Sequence, residues 1–230
     1  MKFLYCLSPA LAILTLACNS TEESAQVTVV DDIVQAAPEN VELLLKKDHV
    51  TVMRFTLPPQ TRLPPHRSQE RAVYSLSDYK LEFTDSMGQR QINNFRPGDI
   101  LWLKAGKHTV RNVGPITAKY LVVERTAVNP MPGVTSNIAE LTPEKAKVIL
   151  ENANAKVIEV TLEPGDQQPT HTAAARVVYS LTPAKLAVTA GGKTTETEFA
   201  EGDVHWYPGG EHQMKNLSAN PVRFLVFELM

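Results

Sequence analysis

Alternation between apolar and polar positions is the strongest signal along this chain. Met53, Phe55 and Leu57 alternate with Val52, Arg54 and Thr56, and Ile158, Val160 and Leu162 alternate with Val157, Glu159 and Thr161. That is the two-residue period of a half-buried strand. Similar runs cover Val73 to Leu76, Lys80 to Thr84, Asp99 to Leu103 and Lys119 to Glu124, each with a later counterpart. Many short strands separated by Pro, Gly and Asp turns predict an all-β chain of small antiparallel barrels. Two stretches read differently. Pro38 to Leu45 and Pro143 to Leu150 carry an early proline followed by Leu or Ile at helical spacing, which predicts a short helical piece at the start of each unit.

The runs come in two sets because the chain repeats itself. His66 to Leu76 reads H-R-S-Q-E-R-A-V-Y-S-L, and His171 to Leu181 reads H-T-A-A-A-R-V-V-Y-S-L, an offset of 105 residues. Phe95, Gly98, Asp99, Trp102, Gly106, His108 and Asn112 recur as Phe199, Gly202, Asp203, Trp206, Gly210, His212 and Asn216, at an offset of 104. One residue has therefore been lost between Thr189 and Phe199, beside Gly191-Gly192, and hairpin tips tolerate such losses. Fold and site must be read once per unit: residues 38–125 and 143–230 form the two barrels, and 126–142, with its Asn129-Pro130-Met131-Pro132-Gly133 run, is the linker.

Ahead of the first unit, Met1-Lys2 and the apolar run to Ala17 read as an export signal, residues 1–17. The run is shorter than the ~20 apolar residues that span a bilayer. Its end, Leu14-Thr15-Leu16-Ala17-Cys18, resembles the lipobox of bacterial lipoproteins. That resemblance implies cleavage before Cys18, lipidation of Cys18 and anchoring in the bacterial cell envelope, with Asn19 after the cysteine favouring the outer membrane. An ordinary secretory signal cleaved near Ala17, or an N-terminal anchor, is the alternative. Residues 18–37 then serve as a tether, although Val27 to Val30 also suits an added edge strand. The only cysteines are Cys6 and Cys18, so the folded part contains no thiol. A thiol nucleophile, a disulfide framework and a cysteine-type zinc site are thereby excluded. With 23 basic and 25 acidic residues and a net charge of −2, no basic stripe exists for nucleic acid. A homodimer is compatible with the sequence.

The Gly-Asp pair, the glycine turn, the histidine two residues on and the asparagine four beyond resemble the second motif of the cupin family, and the histidine-led stretch resembles the first. Over residues 38 to 230 the chain resembles a bicupin, which implies two tandem jelly-roll barrels. In metal-binding cupins the motifs supply three histidines and a glutamate, a set suited to iron, manganese, nickel or zinc. The resemblance places His66 and His108, and His171 and His212, at ligand positions for a divalent transition metal. The set is incomplete. The second histidine position holds Ser68 and Ala173, and the glutamate position, aligned on V-Y-S-L, holds Arg71 and Arg176. Glu70 and His205 lie near the motifs as substitutes, but face Ala175 and Leu101 at the matched positions.

A guanidinium beside two imidazoles is rich in donors and suits a carboxylate, sulfate or phosphate on a small molecule. The ligand-binding set on this reading is His66, Arg71, His108, His171, Arg176 and His212, with the arginines inward and Tyr74 and Tyr179 facing the other way. The plainer alternative makes the arginines rim residues paired with a barrel carboxylate such as Asp99 or Asp203. Trp102 and Trp206 read as core or pocket wall, the motif glycines as turn formers, and Asn112 and Asn216 as turn residues bonded to backbone. There is no nucleophile-elbow serine, no phosphate loop and no paired carboxylates at matched positions, so an enzymatic reading (dioxygenase, isomerase or lyase) rests on the fold alone.

Overall fold

The structure, a computed structural model, describes residues 29–127 and 137–230. The signal, Cys18 and the centre of the linker lie outside the described residues. The first unit contains β1 (Val41–Lys47), β2 (Val50–Leu57), β3 (His66–Ser68), β4 (Glu70–Ser75), β5 (Tyr79–Asp85), β6 (Arg90–Phe95), β7 (Ile100–Leu103), β8 (Gly106–Asn112) and β9 (Ala118–Arg125). They form a five-stranded sheet, β1-β2-β9-β4-β7, facing a four-stranded one, β3-β8-β5-β6, and all strand pairs are antiparallel. The second unit repeats this element for element. Its β10 (Ala146–Glu151), β11 (Ala155–Leu162), β18 (Val222–Leu229), β13 (Arg176–Ser180) and β16 (Val204–Tyr207) form the larger sheet; β12 (His171–Ala173), β17 (Gly210–Asn216), β14 (Ala184–Ala190) and β15 (Lys193–Phe199) form the smaller.

Alternation decides which core each strand face enters. Phe55, Leu57, Val73, Tyr120 and Val122 meet Leu81, Phe95 and Val110 inside the first unit. The residues between them, Val52, Ala72, Tyr74, Leu121 and Val123, pack instead on Val157, Val177, Tyr179, Leu225 and Phe227 of the second. The two larger sheets thus stand back to back, and their central strands are apolar on both faces. Each fully buried Val, Leu or Phe contributes about 1.5–3 kcal/mol. The shared core is therefore of the same order as the whole net stability of a domain, about 5–15 kcal/mol. Trp102 and Trp206 pack against this shared core, and Trp206 Nε1 donates to His49 Nε2 at 3.3 Å across the join.

The helical reading of Pro38 to Leu45 and Pro143 to Leu150 is corrected: these stretches enter β1 and β10, the edge strands of the larger sheets. Each carries a register shift, between Leu43 and Leu45 and between Val148 and Leu150. The extra residue of a bulge breaks the two-residue period and mimics helical spacing. The helices lie earlier, as single turns. In α1 (Ile33–Ala36) the Asp32 carboxylate caps Val34 N at 3.0 Å and Gln35 N at 3.2 Å; in α2 (Ile138–Leu141) Asn137 caps Ala139 N at 3.0 Å. Both fall inside the stretches read as tether and linker. Val30 also bridges His66 in parallel, with Val30 N donating to Pro65 O at 2.9 Å. Val27 and Thr28 lie outside the described residues.

The lost residue sits at the hairpin tip. The β5–β6 turn closes through Asp85 N to Gln89 O at 3.1 Å, with Gly88 at a φ of 78°. Its counterpart is a two-residue turn in which Gly191 and Gly192 both have positive φ, 56° and 75°, a geometry that glycine adopts without strain. Registers on either side are unchanged.

Candidate functional site

In each unit, the smaller sheet brings two histidines together by register. His66 on β3 pairs with His108 on β8, and His171 on β12 with His212 on β17. Residues directly opposite in an antiparallel pair project on one face, and the ring centroids are 4.4 Å and 4.2 Å apart. The larger sheet contributes an arginine. Arg71 on β4 lies between Glu124 on β9 and Leu103 on β7; Arg176 on β13 lies between Glu228 on β18 and Tyr207 on β16. Both guanidinium side chains are buried, each residue retaining only 6% of its exposure. The inward direction read from the sequence is therefore observed, with Tyr74 and Tyr179 on the opposite face, in the shared core.

Hydrogen bonds set the protonation pattern. His66 Nδ1 stands 2.9 Å from Pro64 O, and His171 Nδ1 stands 3.0 Å from Pro169 O. A carbonyl only accepts, so Nδ1 carries the proton in both rings. Arg71 Nη2 lies 3.3 Å from His108 Nε2; a guanidinium only donates, so that nitrogen accepts. Burial, then the neighbouring His66 ring and the charge of Arg71, push His108 down to about 3. Burial, then Arg176 and His171, push His212 down to about 3. His66 and His171 are also lowered, chiefly by burial. All four rings are neutral imidazoles near neutral pH.

Arg71 Nη1 donates to Gln69 O at 3.0 Å and Lys104 O at 3.2 Å. With His108 these acceptors occupy at most three of its five N–H donors. Arg176 Nη1 donates to Ala174 O at 3.2 Å and Pro208 O at 3.3 Å, and its guanidinium carbon sits 5.4 Å from the Tyr207 ring centroid, within cation–π reach.

The barrel carboxylates beside the arginines are not the two offered as examples, and the arginines are buried rather than at the rim. Asp99 accepts from Arg96 N at 2.8 Å and Asp203 from Ala200 N at 2.7 Å, both holding the turn before the motif strand. The acids that act on the arginines are Glu124 and Glu228, each raised by burial and lowered by its arginine. They were readable in the sequence as matched glutamates, at an offset of 104, closing the apolar runs Tyr120–Val123 and Phe224–Phe227. Glu70 and His205 complete no ligand set. Glu70 pairs with Arg125 at 3.3 Å, and the His205 ring packs on Phe199 at 4.5 Å. Asn112 and Asn216 are turn clamps, as the sequence suggests. Each is fully buried, and Asn112 Nδ2 donates to Leu57 O and Ile116 O, both at 2.8 Å.

A divalent cation does not fit this donor set. Each barrel offers two imidazoles where metal sites need three or four protein ligands, the neighbouring guanidinium carries a fixed charge that repels a cation, and among the described residues no three His, Cys, Asp or Glu side chains are grouped to hold an ion. The space around the residues is small. A cavity of about 30 Å³ lies against His66, Arg71, His108 and Glu124, and one of about 80 Å³ against His171, Arg176, His212 and Glu228.

Neither a protein-family model nor a curated protein matches the chain. Solved structures do. AerE from Microcystis aeruginosa aligns with a TM-score of 0.62 at 16% identity, over 83% of this chain and 93% of that one. A variant of oxalate decarboxylase from Bacillus subtilis aligns at 0.60 and 16%, over 86% and 71%. Oxalate decarboxylase from Lactobacillus farciminis, in a formate complex, aligns at 0.56 and 14%, over 79% and 77%. Likeness at such identities concerns the fold alone, and on that ground the chain is a two-unit β protein of the cupin fold.

Proposed function

We propose that this chain is a cupin-fold binding protein whose first barrel holds a small anion, a carboxylate foremost, on Arg71. The observation that carries the reading is the buried guanidinium beside the His108 imidazole, with at least two N–H donors to offer. Charge-assisted donors in a partly desolvated site hold a planar oxyanion in bidentate fashion. Glu124 offsets the arginine when no guest is present. An entering anion displaces that balance and favours a protonated Glu124, whose affinity for protons burial already raises.

The competing reading is a metal-dependent enzyme. It draws on the shared fold, since oxalate decarboxylase from Bacillus subtilis has Mn(II) centres. The donor set described above speaks against it in this chain.

Thermal unfolding of the full chain in sodium acetate, formate or oxalate, against sodium chloride at equal ionic strength, tests the proposal. The carboxylates should raise the melting temperature by a few degrees near a hundredfold excess over Kd, where linkage supplies about 2.7 kcal/mol. Arg71→Gln should abolish the rise, and Arg71→Lys, without the planar fork, should keep only part of it. One equivalent of iron, manganese, nickel or zinc in protein purified without chelators, lost on His66→Ala with His108→Ala, would overturn the proposal.

A further inference from the structure

The two units share their inner residues but differ at the mouth. On the first, the free edges of the two sheets, β6 and β7, border an open cleft of about 660 Å³. Arg71 and His108 line both this cleft and the inner cavity, so the cleft leads to the guanidinium. The β7 wall is apolar, with Leu101 and Leu103. Leu101 stays 37% exposed, a large side chain with nothing yet covering it. The other wall carries Gln91, Asn93 and Asn94, and Lys104 and Lys107 lie at the rim.

The second unit has the same ladder but different side chains. Leu103, beside Arg71, becomes Tyr207 beside Arg176, and the ring lies over the guanidinium. Leu101 becomes His205, packed on Phe199 and 6.4 Å from Tyr207. Lys104 and Lys107 become Pro208 and Glu211, while Ile92 and Asn94 become Glu196 and Glu198, both paired with Lys185 at 3.0 and 3.8 Å. The second unit thus carries aromatic rings beside its arginine and acidic side chains at its rim, whereas the first unit is open, basic and half apolar.

We infer that the first barrel takes an amphipathic carboxylate, with its head on Arg71 and an apolar body of several carbons along Leu101 and Leu103, and that the second barrel does not. This rests on the anion reading above and adds the shape of the guest. A cleft of this volume is in the range that takes small organic ligands, and the polar wall leaves room for one or two hydrogen-bonding groups on the body.

Calorimetric titration of the full chain with acetate, hexanoate and decanoate decides it. Affinity should rise about two- to fourfold per methylene, the gain from burying each carbon, with one site per chain. Leu101→Ser, at a side chain that keeps 37% of its exposure, should cut the gain per methylene. Leu103→Tyr, which copies the second unit's ring beside its arginine, should remove it. Tyr207→Leu with His205→Leu should open a second site of lower affinity. Hexanoate and decanoate binding no tighter than acetate would overturn the cleft assignment and leave the anion reading standing. Failure of all three acids to bind would overturn both.

Discussion

Arg71 Nη2 points at the unprotonated Nε2 of His108 from 3.3 Å, so each needs the other's charge state. The arginine cannot lose its proton and the histidine cannot gain one without two positive charges meeting in a buried space. This makes the imidazoles acid-sensitive. In the unfolded chain the rings titrate near 6.5, whereas folding holds His108 and His212 at about 3. Between those values the unfolded chain binds more protons. The stability contributed by the two rings is therefore whole above pH 6.5 and is lost as pH falls toward 3. The ceiling is about 1.4 kcal/mol per pH unit for each ring. Glu124 and Glu228, raised by burial, act in the opposite sense above the ordinary glutamate range. The histidine part is isolated by comparing the full chain with its His108→Asn, His212→Asn variant in urea at pH 7 and pH 5. The variant should lose less stability between the two; an equal loss would show that the rings are not held neutral by folding.

A second expectation concerns the asparagine clamps. Asn112 Nδ2 ties two carbonyls and its Oδ1 accepts from Gly114 N at 3.0 Å; Asn216 ties Leu162 O and Asn220 O, both at 3.0 Å, and accepts from Ser218 N at 2.8 Å. Alanine at either site leaves three backbone groups without the partner they had, at about 1–3 kcal/mol for each that water cannot reach. Asn112→Ala and Asn216→Ala should each lower the urea unfolding free energy by about 2–4 kcal/mol, and Asp should not rescue, because it accepts but does not donate. A loss under about 0.5 kcal/mol would refute the clamp.

The third concerns the N-terminus. The short apolar run and its lipobox-like end imply a lipid on Cys18, and Cys18→Ser should release the chain from membranes on fractionation. Equal membrane retention by the variant would rule the lipid anchor out.

Much of the fold was legible because duplication doubled every signal. The period-two runs and the loss at Gly191-Gly192 follow from alternation and spacing; the inward arginines follow from the cupin resemblance, with alternation setting Tyr74 and Tyr179 on the other face. The edge strands β1 and β10 were misread because a bulge in each shifts its apolar residues into helical spacing. Asp99 and Asp203 came forward as examples of a carboxylate partner because the sequence shows neighbours along the chain. Glu124 and Glu228 stand out as matched glutamates, but their pairing with the arginines runs across a strand ladder 50-odd residues away and leaves no local trace. The contrast between Leu103 and Tyr207 was printed in the sequence, but it means nothing until register sets each beside its arginine.

The back-to-back packing of the two larger sheets has a consequence for synthesis. The chain leaves the ribosome with its first unit complete well before Leu225 and Phe227 exist, so Val52, Ala72, Leu121 and Val123 stand as a bare apolar sheet face in the meantime. Such a face invites pairing with another nascent copy or capture by a chaperone. A chain truncated after the first unit should therefore aggregate even though that barrel's own interior is filled, and the second barrel serves the first as a cover whatever it binds itself.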